Sequence, residues 1–188
     1  MRNQQGFTLL ETLIAFIVLV FGLLGAIALQ AKAKQATYDA MQRAAALGVA
    51  NDVIERIKAN TEGALAGNYN GNIASSDTLG TTDCFGINSE CSAAQVALFD
   101  KEHWRKSIRA EDNTGSLSGA MICIDTTDGG ADNRTIKVTI SWDSRQKLVI
   151  TDDPDDPDDD DDVASVKERC GTNDDRRRVL ALNSFLFV

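Results

Sequence analysis

One carboxylate stands where a carboxylate is expensive. Glu11 lies two residues before Leu13–Leu29, a run of seventeen residues without a charge. An ionised side chain in an apolar span costs on the order of 2.5 to 3.5 kcal/mol on insertion scales, and it normally marks a function. The economical partner is an ammonium group. A peptide cut between Gly6 and Phe7 would create one on Phe7, four positions from Glu11.

The remaining reactive side chains are few. Cys84, Cys91, Cys123 and Cys170 all follow the apolar run, and an even number on one side of a membrane points to disulfides in an oxidising compartment. Cys84 with Cys91 and Cys123 with Cys170 is the favoured pairing, the first a tight local loop and the second closing a long one; two other pairings remain open. A zinc site would need all four cysteines, or three with His103, at irregular spacing, so no metal centre is expected there. His103 is the only histidine. Ser-His-Asp or Cys-His catalysis would have to run through it, and its place beside Trp104 reads instead as a surface or packing position. No phosphate-cradling loop occurs, since Asp128-Gly129-Gly130 lacks the P-loop lysine. Asp125, Asp128 and Asp132 lack the alternation and terminal Glu of an EF-hand. The chain is expected not to be an enzyme and to need no cofactor.

The formal charge is −9, and residues 152–162 hold nine Asp and no basic residue, so the rest of the chain is balanced. A basic nucleic-acid surface is not indicated. Broken by Pro154 and Pro157, this acidic run cannot bury itself and reads as an extended, disordered loop. A weak calcium site at Asp152, Asp153, Asp155, Asp156 and Asp158 is the sharper alternative, because extracellular oxygen-ligand sites fill at ~10⁻⁴ to 10⁻³ M.

The elements that must position these groups follow from periodicity. Phe7–Leu29 as a helix is about 35 Å long, enough to cross a hydrocarbon layer with some tilt. Met41, Ala44, Leu47, Ala50, Ile54 and Ile57, with Val53 beside them, predict an amphipathic continuation whose apolar stripe faces a core. Asn60 and Gly63 predict its end, and no proline interrupts it, so one helix of roughly 80 Å is expected from Phe7 to Ala59. Residues 61–90, dense in Gly, Asn, Ser, Thr and Asp, read as a long loop. Ser92-Ala93-Ala94-Gln95 is a capping box, opening a short helix with Ala94, Ala97, Trp104 and Ile108 at helical spacing. Strands are expected at Met121–Ile124, Ile136–Trp142, Lys147–Ile150 and Val179–Phe187. The fold class is α+β, with four antiparallel strands on a long helix.

Gly6-Phe7-Thr8-Leu9-Leu10-Glu11 followed by an apolar run resembles the processing site of the type IV prepilin family. The resemblance implies a leader at 1–6, cleavage between Gly6 and Phe7 by a prepilin peptidase that also N-methylates Phe7, and Glu11 as the assembly carboxylate. Residues 7–30 would be the transmembrane and filament-core half of the helix, 31–60 its amphipathic half, and 61–188 the globular pilin domain. Partners so implied are membrane lipid, an inner-membrane assembly platform, the major pilin and other minor pilins. The place implied is the inner membrane with the C-terminal domain in the periplasm, then the pilus, at its tip. Gly22-Leu23-Leu24-Gly25, Gln30, Trp104 and Ile136–Trp142 are similar to the PilV-type minor pilins, while Leu117-Ser118-Gly119 departs from their Leu-Pro-Gly. The function implied is pilus assembly or initiation, with pilus-dependent motility or adhesion.

Competing readings stay in view. Ala26-Ile27-Ala28 fits a signal peptidase site, but the apolar stretch is longer than the usual ~7 to 15 residues and begins with an acid. Arg2 before the span and Lys32 and Lys34 after it run against a positive-inside excess. A minor pseudopilin of a type II secretion system would share the N-terminal chemistry. A membrane-anchored periplasmic hydrolase or a calcium-dependent binding module would differ in class.

Overall fold

In the computed structural model the described residues are 6, 8–80, 84, 90–109, 117–128, 133–147, 170–172 and 175–187. Helix α1 runs Leu9–Ala59, followed by α2 (Thr61–Leu65), β1 (Gly71–Ala74), α3 (Ala93–Ile108), β2 (Ser118–Asp128), β3 (Asn133–Asp143) and β4 (Arg177–Phe187). The chain divides into two compact units, Met1–Ala40 and Met41–Val188. The α+β class holds: a long N-terminal helix and a four-stranded antiparallel sheet in the order β1-β2-β3-β4.

In the first unit, α1 carries apolar residues on all sides as far as Leu29, and from Leu9 to Leu29 all of them are exposed. Leu9 is 83% and Phe21 70% accessible. A helix apolar all round belongs in a lipid or protein environment and not in water.

The second unit has an ordinary core. Strand alternation sends Ile122, Ile124, Ile136, Val138, Ile140 and Trp142 inward, and they form one cluster with Ala46, Ala50, Val53, Ile54 and Ile57 of α1. Register places Ile122 opposite Ile140 and Ile124 opposite Val138, so β-branched side chains stack across β2 and β3. Trp104 and Ile108 of α3 and Tyr69 before β1 complete it.

Several expectations need correction. The buried stripe of α1 is Gln42, Ala46, Ala50, Val53, Ile54 and Ile57. Met41, Ala44 and Leu47 are exposed, Met41 by 60%. This part of the helix has apolar residues on two faces, and the buried polar Gln42 hides which one meets the sheet. The segment 61–90 is not simply a loop, since it contains α2 and β1. Only Ile73 among the four β1 residues is fully buried, too little alternation to show in the sequence. Thus β1 supplies the fourth described strand. Lys147 lies outside any strand, and the rest of the strand expected at 147–150 lies outside the described residues, as does the acidic run with Asp152, Asp153, Asp155, Asp156 and Asp158. Ala94 is exposed on α3, whereas Ala97, Trp104 and Ile108 are buried as expected. The capping box is present, with Ser92 Oγ accepting from the Gln95 N–H and Gln95 Oε1 from the Ser92 N–H.

One end of the sheet is held by a buried arginine. Arg177 Nη1 donates to the Gly119 carbonyl at 2.8 Å and Nη2 to Thr172 Oγ1 at 3.0 Å. It also pairs with Asp143. Gly119 sits at a register shift in β2 with φ +55°, where a side chain would strike the Asp143 carboxylate.

Candidate functional site

Gly6 is exposed and outside the helix. Phe7 lies outside the described residues. Thr8 is the residue at which α1 begins: the Glu11 N–H donates to Thr8 Oγ1 at 3.3 Å, and the Glu11 and Thr12 N–H groups reach the Thr8 carbonyl at 3.1 and 3.3 Å. Thr8 is therefore the N-cap, satisfying donors that the first turn leaves without intrahelical partners. Thr12 Oγ1 donates to the Leu9 carbonyl at 2.9 Å, so a second hydroxyl in this turn is also occupied by backbone.

Counted from that cap, Glu11 is the third helical residue, and its carboxylate sits in the first turn, where the helix dipole favours negative charge. Thr-x-x-Glu is the spacing of a capping box, a signal the sequence carried and the reading above did not use. Beyond Glu11, α1 is long and apolar enough to cross a membrane, with a window of mean hydropathy 2.8. The acid is thus the only charge in the first six turns of the helix, and it lies at their N-terminal end.

The second unit brings together polar groups that sequence reasoning did not connect. Asp100 of α3, 4% exposed, accepts from Tyr69 Oη at 2.7 Å and from Arg56 Nη1 at 3.1 Å. Arg56 also holds Asp52 one turn away, and Asp52 accepts from Trp104 Nε1 at 2.9 Å. Asn60 Nδ2 donates to Tyr69 Oη and to the Ala93 carbonyl, while Asn60 Oδ1 caps α2. Burial and then the bond to Asp100 push the Tyr69 phenol well above its usual range. Burial acts to lower the Arg56 pKa, but the Asp52 and Asp100 bonds prevail and raise it. Burial holds the Lys101 ammonium below its usual range. The Arg105 fork on Glu102, at 2.7 and 2.8 Å, keeps that carboxyl below its ordinary value despite burial. The buried acids Asp100 and Glu102 are each matched by an arginine, Lys101 Nζ donates to the Asn70 carbonyl, and the network joins α1, α3 and the Tyr69 segment. Only the helical pairs, Asp52 with Arg56 at i,i+4 and Glu102 with Arg105 at i,i+3, have a spacing that the sequence displays.

Cys84 is bonded to Cys91 and Cys123 to Cys170, with Cα separations of 5.9 and 5.8 Å. The first bridge lies just before the α3 capping box. The second ties β2 to the segment preceding β4. Beside it, a cavity of about 280 Å³ is lined by Asn72, Asp125, Lys137 and Thr139. His103 is on the exposed side of α3 and not among the described lining residues. Among the described residues no group of three His, Cys, Asp or Glu could hold a metal ion.

Two family models match. Residues 1–27 match the prokaryotic N-terminal methylation motif, and residues 28–102 match a model described as type IV pilin Tt1218. Neither a curated protein nor a solved structure matches the chain. The two matches meet without a gap inside α1 and run on through α2, β1 and most of α3.

Proposed function

We propose that the chain is a type IV pilin, a structural subunit, and within that family a minor pilin of the PilV type; the methylation-motif match over residues 1–27 and the type IV pilin match over residues 28–102 support the reading. It is made as a precursor, cut between Gly6 and Phe7, and N-methylated on Phe7 by a prepilin peptidase. It waits in the inner membrane through a single pass of α1, with the second unit in the periplasm. It then enters a pilus-tip or initiation complex with other minor pilins and the major pilin, through the membrane assembly platform. Residues 1–6 serve as leader, 7–30 as anchor and filament core, 31–60 as the amphipathic helix and 61–188 as the globular domain. The two disulfides suit an oxidising periplasm.

One observation carries the processing and assembly part of this reading: Glu11 occupies the first turn of α1, and the stretch that follows it to Leu29 is uncharged and exposed. A disposable signal has no use for a carboxylate there. In a filament the new Phe7 ammonium must enter an apolar environment, where an unpaired charge costs several kcal/mol, and Glu11 of a neighbouring subunit neutralises it. The same acid within the subunit offsets an ammonium that would otherwise face the positive end of the helix dipole.

Deletion of the gene tests the assignment. The expected result is loss of surface pili and twitching with protein secretion intact. Intact pili with lost type II secretion would transfer the chain to the minor pseudopilins.

A further inference from the structure

We infer that the free edge of β4 is a docking surface for an extended segment of a partner protein, which adds to the sheet as an antiparallel strand and carries a carboxylate where it passes Arg178. This is a property of the sheet of the second unit and is independent of how the N-terminus is processed.

The two edges of the sheet are built differently. Strand β1 is four residues long, and side chains occupy the backbone at its two ends: Asp77 Oδ2 accepts from the Ala74 N–H at 2.7 Å, and Lys101 Nζ donates to the carbonyl of Asn70, just before the strand, at 3.2 Å. A short edge with its backbone already bonded is a poor template for another strand. Strand β4 has none of these devices. It is 11 residues long, pairs one for one with Asn133–Asp143 without a bulge, and holds no proline and, from Val179 to Phe187, no charge. Among the described residues no strand lies on its outer side, and no side chain bonds to its backbone from Val179 to Leu186. Alternate N–H and C=O groups of such a strand point away from its one neighbour and can take a further strand.

Apolar cover also runs out here. Leu180 and Leu182, opposite Ile140 and Val138, are only partly buried at the border of the core, while Phe185 on the other face is 59% exposed. An added strand would extend the core row on one face and cover Phe185 on the other, so backbone and side chains fit the same occupant. Charge then specifies one of its residues. Arg177 is held by Gly119, Thr172 and Asp143. Arg178 is half-buried in register with Trp142; its Nη2 donates to the Gln146 carbonyl at 3.1 Å, its Nη1 has no acceptor among the described residues, and β4 contains no acid. A carboxylate directly across the new pair matches this guanidinium. An antiparallel run continues a sheet in which every described pair is antiparallel, and it puts that acid at the C-terminal end of the segment. Before the acid, apolar residues would lie beside Leu182 and Leu180, alternating with polar ones beside Asn183 and Ala181.

The test uses the full-length chain in detergent micelles and a fluorescein-labelled peptide, Thr-Val-Thr-Val-Thr-Val-Thr-Glu, whose binding is read by fluorescence anisotropy. Two further peptides carry backbone N-methyl groups, one on its Val residues and one on its Thr residues, because successive N–H groups of a strand point to opposite edges. The expected result is saturable binding, weakened about tenfold or more by one N-methylated series and not by the other, with slowed hydrogen exchange at alternate amides from Val179 to Phe185. Replacing the peptide's Glu by Gln, or Arg178→Ala in the chain, should each weaken binding about tenfold, and the two losses should not add. Absence of saturable binding would overturn the inference. Equal binding of both N-methylated series would overturn it too, since the contact would then not run through the backbone. A chain that is dimeric in micelles, with the β4 amides protected before peptide is added, would overturn it in favour of a second copy on the edge. Equal binding of the Glu and Gln peptides would overturn the carboxylate assigned to the partner.

Discussion

The same helix solves two problems in its two halves. Up to Ala40 its apolar side chains are unburied in the isolated chain, and the only acid in the apolar stretch stands at its capped start. From Met41 on, one narrow stripe is buried against a sheet, and Arg56 beside it pairs with Asp52 and with the buried Asp100. The first half is stable only in lipid or among other helices, and the second carries its own core. An apolar residue in the first half thus specifies the environment, whereas one in the second specifies the fold. This predicts that substitutions in the two halves fail differently: the first loses assembly with the core intact, the second loses the core with the anchor intact.

The largest effect is expected at Glu11. On the proposed processing, Glu11→Ala would leave the Phe7 ammonium unpaired in the filament, and a penalty of about 3 to 5 kcal/mol corresponds to a loss of incorporation of more than a hundredfold. Unfolding followed by tryptophan fluorescence should not change, because Trp104 and Trp142 both lie in the core of the second unit. Quantifying the chain in sheared pili against total membrane protein checks the first half of that statement.

Removing the second disulfide reverses the pattern. Cys123→Ser with Cys170→Ser opens a link spanning 47 residues, and the chain-entropy model gives a loss of about 4 kcal/mol. The denaturant midpoint of the second unit should fall strongly, while carbonate extraction still finds the chain in the membrane.

Tyr69→Phe is a milder version of the same contrast. It leaves Asp100, buried between α1 and α3, with Arg56 but without the phenol, at a cost of about 1 to 3 kcal/mol. The loss is read as a shift in urea midpoint at constant slope, with no change in membrane retention.

The smallest effect is on pH dependence. The folded-state pKa of Glu102 is lowered, by the Arg105 bonds first, so its contribution is fully present above the ordinary carboxylate range. It is lost as pH falls through the folded value. Glu102→Gln should flatten the acid limb of the stability profile below that range. An unchanged acid limb would show that the Arg105 pair adds nothing to the fold.

The sequence disclosed the two halves unequally. The long apolar helix was legible because its signal is local: an uncharged run headed by one acid needs no tertiary contact to be recognised. The α+β class, the α3 capping box and the strands around Cys123 and Trp142 were legible for the same reason, since alternation and capping act within a few residues. The α1 stripe was misplaced at Met41, Ala44 and Leu47 because periodicity shows that a face is apolar and not what covers it. Strand β1 was missed because a four-residue edge strand with one buried side chain carries almost no pattern. The Asp100 network was invisible because its members are as many as 52 positions apart, and only the fold brings Asp52, Tyr69, Asp100 and Trp104 together. At the assembly site the missed residue was Thr8, whose spacing to Glu11 was present in the sequence.

The central claim is that α1 is retained after a short leader is cut away, with Glu11 kept to meet the new N-terminus. Mass spectrometry of the N-terminal peptide of the mature chain, recovered from membranes and from pili, tests it most directly. The account predicts a chain beginning at N-methylated Phe7 and containing Glu11. A mature chain beginning at Leu29, with the whole apolar run removed, would contradict it.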